Sequence, residues 1–426
     1  MTTQTLSSDA QNYASFADEL ISTCIISDPW VEGVERFRLE PQVLPAGTYN
    51  EFQRAIERIG KLYNEMTRIL WDRRALLEES FYLTPWQQEM WLASGGHWHG
   101  IARADAFVVE DGSLRICELN ADTPSGEPEA VILNHLRHRF HSDLLNPNAG
   151  FEEQFVRMVY ATHRAALGEQ ASDMPTIGII YPTDLPEDLS MIELYRTWFQ
   201  HRGHTVILGS PYNLARAEDG ALTLFGEKIE IAIRHYKTDW WSEREPVSVK
   251  GDDFMDPDPL EGPLRAILGA ELAGKVAVVN PFGGVIAQNK LSMAFFHERI
   301  DLFSDESREA IRAYIPPTFR LIHRDQDEVL RERERWVLKS DYGCEGDEVI
   351  IGRHVSDEQW ASVIQELIPE RWIIQEYFQA AVDTNGLIPN YGLFLIGGKS
   401  GGIFTRFSSA TTDYRALTAP TFVEQS

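Results

Sequence analysis

The chain has 426 residues, with 39 Lys and Arg against 65 Asp and Glu, so its formal charge is −26. This balance disfavours a nucleic-acid partner, whose phosphates would be repelled, and no apolar run reaches the roughly 18 residues that a membrane span needs. The three cysteines, Cys24, Cys117 and Cys344, are far apart, which excludes a disulfide framework or a cysteine-based zinc site and suits a cytoplasmic protein.

The first part of the chain predicts an arm, a long helix and a hairpin. Residues 1–50 are interpreted as an N-terminal arm. Over residues 51–79 apolar side chains recur at helical spacing, which predicts an amphipathic helix: Phe52, Ile56, Ile59, Tyr63, Met66 and Leu70. Residues 101–120 form two β-like runs around Asp111-Gly112, a strong hairpin signal. Pro128 opens a further helical stretch.

Residues 171–250 predict a small α/β domain, after a helix over residues 151–167 that Gly168 closes. Within the domain, buried-type strands flank one amphipathic helix, which gives a β-α-β unit and a largely parallel sheet. The predicted elements are strands at 176–181 and 205–208, a helix at 189–201, and further strands at 221–225 and 229–234.

The remainder, residues 251–426, begins with an Asp- and Pro-rich linker over residues 251–262 and then alternates between strands and helices. Ser356 and Gln359 form a predicted capping box at the start of one of these helices. The strand candidates lie at residues 276–279, 336–339, 348–351, 372–377, 391–396 and 402–405.

The hairpin places four polar residues on one face. With Asp111-Gly112 as a two-residue turn, Asp105 lies opposite Glu118, and Arg103 lies opposite Asn120. Two opposed carboxylates repel each other unless a cation lies between them, and Asp, Glu and Asn oxygens are ligands that Mg²⁺ prefers. The alternative from these residues alone is a solvent-facing strand on which Arg103 screens the two acids.

A second group of residues suggests a phosphate-binding region. Lys339 precedes a loop with Gly343 and Gly346 between two predicted strands, where an ammonium and backbone N–H groups can meet phosphates. Lys290 begins a helix, and Arg406 follows the strand at 402–405. The apolar strand at residues 372–377 ends in polar residues and suits the edge of an adenine.

These residues resemble the glutathionylspermidine synthase family of ATP-grasp ligases. The resemblance covers residues 50–410, in the synthetase domain only, and we expect no amidase domain. The matching motifs are Arg103-x-Asp105, Glu118-Leu-Asn120-Ala-Asp-Thr-Pro-Ser125, Gln288-Asn-Lys290, Lys339-x₃-Gly343-x-Glu-Gly346, Ile374-Gln-Glu-Tyr377, Gly402-Ile-Phe-Thr-Arg406 and the turn after the strand at 231–234.

The resemblance implies an α/β (α+β) ATP-grasp architecture with permuted motif order. Residues 51–170 and 251–426 would form the ATP-grasp region, and residues 171–250 a pre-ATP-grasp-like domain. It also implies roles for particular residues: Mg²⁺ ligands Asp105, Glu118 and Asn120; a catalytic Arg103; ATP-binding Arg103, Asp105, Lys290, Lys339, Gly346, Asp347, Gln375, Glu376, Tyr377 and Arg406; substrate-binding Thr123, Ser125 and Asp239.

The implied activity is an ATP- and Mg²⁺-dependent ligation of a small carboxylate, a peptide or an amino acid, to an amine through an acyl phosphate. The acidic surface suits a polyamine-like amine. The chain departs from the family at Ser340 (usually Pro), Cys344 (usually Arg) and Asp239 (commonly Glu). Two alternatives remain: an inactive nucleotide-binding module, and a hydrolase that uses Asp105 and Glu118 as an acid/base pair.

Overall fold

The computed structural model describes residues 3–183, 189–241, 260–343, 348–409, 412 and 414–425, and only the backbone for residues 3–11. Most of the linker predicted at 251–262 lies outside these ranges. Within them, no helix combines the length and the apolarity that crossing a bilayer requires.

Thirteen α-helices are present in the described ranges, together with one π-helical stretch, Glu129–Leu133, at the place where Pro128 predicted a helix. The α-helices are α1 Thr3–Ser22, α2 Ala46–Asp72, α3 Ala75–Ser80, α4 Pro85–Ala93, α5 Asn134–His138, α6 Phe151–Leu167, α7 Leu189–His201, α8 Glu261–Leu272, α9 Gly284–Gln288, α10 Leu291–Glu298, α11 Asp305–Tyr314, α12 Gln326–Arg331 and α13 Asp357–Glu366.

The strands form six sheets across the described residues, three of which matter for the candidate site. The strands are β1 Trp30–Val31, β2 Val34–Glu35, β3 Gln42–Leu44, β4 Ile101–Val108, β5 Leu114–Asn120, β6 Ile177–Ile180, β7 Val206–Gly209, β8 Leu214–Arg216, β9 Leu222–Leu224, β10 Glu227–Ile229, β11 Ile231–Arg234, β12 Ala277–Val279, β13 Thr318–Arg320, β14 Trp336–Ser340, β15 Val349–Ile351, β16 Trp372–Glu376, β17 Ile388–Ile396, β18 Lys399–Ser408, β19 Leu417–Ala419 and β20 Thr421–Val423.

The hairpin sheet is a five-stranded antiparallel sheet with strand order β19-β18-β17-β4-β5. Helix α2 packs against one face of it, and all six apolar positions that predicted this helix are buried. Three alanines of β4, Ala102, Ala104 and Ala106, face that helix and are fully buried. Gly60 of α2 leaves room for Leu395 of β17, because a Cβ at residue 60 would lie 2.7 Å from the leucine side chain. The helix therefore fixes the hairpin sheet from behind.

The parallel sheet has the order β12-β11-β6-β7, and all of its pairs are parallel. The predicted β-α-β unit is confirmed as β6-α7-β7. Two details differ from the prediction. The segment near residues 221–225 joins a separate antiparallel sheet, β10-β9-β8, and the fourth parallel strand, β12, comes from beyond residue 250.

The lysine sheet is a four-stranded antiparallel sheet with strand order β13-β16-β14-β15. Helix α13 packs beside it, and the predicted capping box at its start is present, with hydrogen bonds in both directions between Ser356 and Gln359. Trp360 of that helix is fully buried in the same apolar cluster as Trp336 and Trp372.

The N-terminal segment packs into the body of the molecule. Tyr13, Phe16 and Leu20 of α1 are buried in the cluster that also covers the parallel sheet, and β3 pairs with β20 near the end of the chain. The described residues of this segment therefore pack against the body of the molecule, and none of them lines the cavity described next.

Candidate functional site

One cavity of about 610 Å³ is lined by residues from the hairpin sheet, the lysine sheet and the turn that follows β11. Its lining includes most of the residues singled out from the sequence: Arg103, Asp105, Glu118, Asn120, Thr123, Ser125, Asp239, Lys339, Gln375, Glu376, Tyr377 and Arg406. Elements more than 270 residues apart in sequence therefore converge on one space.

The predicted pairing of the hairpin is confirmed at the four polar residues, although the predicted two-residue turn is wrong. Asp105 pairs with Glu118 and Arg103 pairs with Asn120. The turn spans three residues rather than two, since the Val109 N–H donates to the Ser113 carbonyl. A β-bulge at Cys117 then adds one residue to β5 and restores the predicted pairing.

The Asp105 carboxylate lies between two guanidinium groups. Arg103 Nε donates to Oδ1 at 3.0 Å, and Arg406 donates to Oδ2 at 2.7 Å. The Asn390 amide also donates to Oδ2, at 3.3 Å. Burial alone would raise the pKa of Asp105, but the two guanidinium charges outweigh it and hold the pKa at about 2. Asp105 is therefore a carboxylate at any physiological pH.

Glu118 and Asn120 form a more open part of the same face. Asn120 donates to Glu118 at 3.1 Å, and the Lys290 ammonium lies 3.6 Å from the other Glu118 oxygen. The ammonium also donates to the carbonyl of Gly343, where the predicted glycine loop begins. Lys290 thus joins a predicted metal ligand to that loop.

Lys339 reaches across from β14 to the hairpin. Its buried ammonium donates to the side-chain oxygen of Gln375 at 2.9 Å and to the carbonyl of Cys117, the bulge residue, at 3.1 Å. Gln375 in turn donates to Thr318 on the next strand at 3.0 Å. Neutral groups therefore hold this cation in place in the described contacts.

Gln375, Glu376 and Tyr377 all line the cavity, as the adenine prediction requires, but their groups are already partly engaged. The Gln375 side chain is bound to Lys339, and the backbone N–H groups of Glu376 and Tyr377 donate to the carbonyls of Pro317 and Arg335. A base at this edge would have to bind other backbone groups of the segment.

The loop after β5 is held from two sides. Gln288 accepts hydrogen bonds from the backbone N–H groups of Ala121 and Asp122. The buried Asp122 carboxylate accepts from Arg234 at 2.5 Å and from the Thr238 N–H at 2.6 Å, which ties the loop to the turn after β11. Thr123 and Ser125 on this loop and Asp239 on that turn line the same cavity.

Two of the predicted site residues, Gly346 and Asp347, lie outside the described residues, as does Cys344. Sequence reasoning gave no role to Asn390, Asp122 or Phe404. The bulge had a detectable signal, because Ile116 and Leu119 are both buried but three residues apart, which breaks the alternation expected in a strand. No local pattern indicates the contact between Asp122 and Arg234, which are 112 positions apart.

The residues present fit Mg²⁺ in their chemistry. Within the described ranges no three His, Cys, Asp or Glu side chains cluster as a ready metal site. The predicted set instead combines two carboxylates on paired strand positions with one amide, and leaves room for phosphate oxygens, as Mg²⁺ sites commonly do. Asp105 would have to exchange part of its contact with the two guanidinium groups.

Comparison with known proteins gives the family. The family model described as glutathionylspermidine synthase preATP-grasp matches residues 77–424. The apo structure of a glutathione synthetase-like effector from Globodera pallida aligns with a TM-score of 0.64 and 13% identity, over 99% of this chain and 98% of that one. A putative gamma-glutamylcysteine synthetase from Methylobacillus flagellatus aligns more loosely, with a TM-score of 0.43 and 13% identity, over 90% and 88% of the two chains. No curated protein sequence matches the chain.

The matched region includes the hairpin, the lysine sheet and the turn after β11, and the mixed α/β architecture is that of the ATP-grasp-related glutathione synthetase-like folds. The chain therefore belongs to the glutathionylspermidine synthase preATP-grasp family, a family of synthetases.

Proposed function

We propose that this protein is an ATP- and Mg²⁺-dependent ligase that joins a small carboxylate, an amino acid or a peptide, to an amine. The observation that carries the proposal is the charge at the inner end of the cavity. Three cationic side chains contact the two carboxylates there: Arg103 and Arg406 bind Asp105, and Lys290 lies beside Glu118. Lys339 binds the carbonyl of the neighbouring Cys117, and this local concentration of positive charge, in a chain of −26, suits a polyphosphate.

The nucleotide would bind mainly to the lysine sheet. Lys339 is buried and held by neutral groups, so its charge remains available for a phosphate oxygen. Lys290 lies at the base of the glycine loop and reaches Glu118. The cavity walls formed by residues 375–380 would accommodate the base.

Bound Mg²⁺ would neutralise phosphate oxygens beside Asp105, Glu118 and Asn120. The protein's own contribution is then position and charge. The acid's carboxylate oxygen attacks the γ-phosphorus, the bond to the β-phosphate oxygen breaks, and ADP leaves. The amine next attacks the acyl carbon, loses a proton and expels phosphate. Arg103 and Lys339 stabilise the charge on the transferring group.

The two substrates would bind at the corner between the loop after β5 and the turn after β11. Thr123 and Ser125 are the proposed contacts of the acid, and Asp239 is the proposed contact of the amine. The acidic charge of the chain favours a polycationic amine, because long-range attraction raises its local concentration.

The state of Asp105 limits the hydrolase alternative. Two guanidinium groups keep this carboxylate ionised, so Asp105 cannot be the general acid and that role would fall to Glu118. The inactive-module alternative predicts a lost or mutated metal-ligand set, whereas Asp105, Glu118 and Asn120 are all present.

The test is ADP release from ATP and Mg²⁺ against a panel of amino acids and peptides, each with and without a panel of mono- and polyamines. The proposal predicts turnover that requires one acid and one amine together, and that is lost in Glu118→Ala while the variant remains folded. ADP release that is independent of both partners, or that persists in Glu118→Ala, would contradict it.

A further inference from the structure

The aromatic ring of Phe404 contacts both arginines that bind Asp105. The Arg103 guanidinium carbon lies 5.8 Å from the ring centroid and that of Arg406 lies 5.2 Å from it. Phe404 is on β18, two residues before Arg406, and is only 7% exposed. One buried ring therefore serves two cations, each within the distance at which a cation is attracted to an aromatic face.

The surrounding backbone makes room for this arrangement at two glycines. A Cβ at Gly126 would lie 2.4 Å from the Phe404 ring, and Gly126 has φ +103°, which favours glycine as well. A Cβ at Gly392, the cross-strand neighbour of Phe404, would lie 2.7 Å from Cδ of Arg103. Both the ring and the arginine stem thus occupy space that other residues would fill.

The two guanidinium groups repel each other, and the Asp105 carboxylate between them offsets that repulsion. Any ligand that draws on the Asp105 carboxylate removes part of this compensation. The face of the Phe404 ring does not depend on Asp105, so its attraction for both cations persists when the carboxylate turns to a ligand. The ring also excludes water from one side of the pair, which strengthens the remaining charge interactions.

We infer that Phe404 is a positioning residue that keeps Arg103 and Arg406 aimed into the cavity when Asp105 is engaged by a ligand. The inference rests on the proposed function for the identity of that ligand, the Mg²⁺ that would accompany a nucleoside triphosphate. Its structural part, the dependence of both guanidinium positions on the ring, stands without it.

The chain supplies a matched control. Phe407, three residues along the same strand, is also buried and lies beneath Arg38, at 4.2 Å from the guanidinium carbon, away from the cavity. Phe404→Leu and Phe407→Leu therefore remove the same ring from the same strand. Phe404→Tyr retains the ring face and serves as the conservative variant.

The experiment has two measurements. Crystal structures in an Asp105→Asn background test the positions of Arg103 and Arg406 without the carboxylate, and titration of the single variants with a non-hydrolysable ATP analogue and Mg²⁺ tests affinity. When Phe404→Leu is added to Asp105→Asn we expect at least one guanidinium to turn away from the cavity, and in the single variant Phe404→Leu we expect affinity to fall roughly tenfold. Phe407→Leu and Phe404→Tyr should leave the guanidinium positions of Asp105→Asn and the affinity of the wild type nearly unchanged.

Guanidinium groups that Phe404→Leu leaves unmoved in the Asp105→Asn background, with an affinity of the single variant equal to that of Phe407→Leu, would overturn the inference. If the wild type binds no nucleotide, the proposed function fails, and the crystal structures alone decide the role of Phe404. If Phe404→Leu does not fold, Phe404→Met replaces it, because the flexible thioether fills the space without offering a ring face.

Discussion

The hairpin sheet and the lysine sheet face the same cavity but treat their charges differently. On the hairpin sheet, the buried Asp105 compensates Arg103 and Arg406 within hydrogen-bonding distance. On the lysine sheet, Lys339 is held by an amide oxygen and a backbone carbonyl, which carry no net charge. On the hairpin sheet the cations are thus paired with a carboxylate before any ligand binds, whereas the lysine sheet holds a cation that can bind an anion. The charges of the hairpin sheet therefore stabilise the fold, whereas the charge of Lys339 on the lysine sheet is available to bind a ligand.

The largest expected effect separates the two carboxylates of the hairpin. Asp105→Ala leaves the buried Arg103 and the largely buried Arg406 without their carboxylate, so we expect a loss of about 3–5 kcal/mol in the free energy of unfolding. Glu118 is more exposed, with 22% of its side chain accessible and an ion pair at 3.6 Å, so Glu118→Ala should cost about 1 kcal/mol or less. Urea denaturation of both variants checks this, and equal losses would contradict the comparison.

The next largest expected effect is on nucleotide affinity and concerns Lys339 of the lysine sheet. Lys339→Met should reduce the affinity for an ATP analogue roughly ten- to hundredfold, since a hydrogen bond to a charged group is lost. Lys399→Met is the control, because Lys399 lies on β18 with 73% of its side chain exposed, and it pairs with Glu57 outside the cavity. Equilibrium titration gives both affinities. Equal affinity in the two variants would remove Lys339 from the site.

A smaller loss of affinity should follow when the charge of Lys339 is neutralised by a neighbouring carboxylate. Gln375→Glu puts a carboxylate where the amide oxygen lies 2.9 Å from the Lys339 ammonium. The cation of the lysine sheet would then be paired with a buried carboxylate, as the arginines of the hairpin sheet are. We expect about a tenfold weaker affinity for the ATP analogue with the fold retained. Gln359→Glu, in the capping box of α13, is the same substitution at a residue that does not line the cavity. An unchanged affinity in Gln375→Glu would show that the charge of Lys339 is not used.

The smallest effect concerns Glu127, a buried carboxyl in the segment that follows β5. Glu127 is fully buried, accepts a hydrogen bond from Tyr195 at 3.0 Å, and has one oxygen without a partner in the described structure. Burial raises its pKa from 4.5 to about 8, so the folded state keeps a proton that the unfolded chain loses. Stability from this group is therefore complete below pH 4.5 and is lost as the pH rises toward 8.

Between pH 6 and 7 the wild type should lose about 1 kcal/mol of stability relative to Glu127→Gln, which has no such titration. Urea denaturation of the two proteins at both pH values measures the difference. Parallel pH profiles would show that Glu127 is ionised in the folded protein.

The sequence predicted the hairpin pairing because alternation along a strand is a local property. It missed the three-residue turn and the bulge at Cys117, and the two errors cancelled at Asp105 and Glu118. The spacing of Ile116 and Leu119 carried the information about the bulge. The motif resemblance gave the family, which the match over residues 77–424 confirms.

The remaining features of the site depend on strand order, which no local pattern encodes. Gln375 reaches Lys339 because β16 lies beside β14. The ion pair between Asp122 and Arg234 forms because the parallel sheet lies beside the loop after β5. Phe404 lies beneath two arginines, one of which is about 300 residues away in sequence. Such contacts are visible only once the sheets are assembled.

The most direct measurement is thermal unfolding with a non-hydrolysable ATP analogue, with and without Mg²⁺, in the wild type and in Glu118→Ala. An analogue at 100 times its dissociation constant should stabilise the wild type by about 2.7 kcal/mol. The proposed function predicts that this stabilisation requires Mg²⁺ and disappears in Glu118→Ala. No stabilisation at a saturating concentration, or one that is equal without Mg²⁺ and in the variant, would contradict the assignment of the cavity as a Mg²⁺–ATP site.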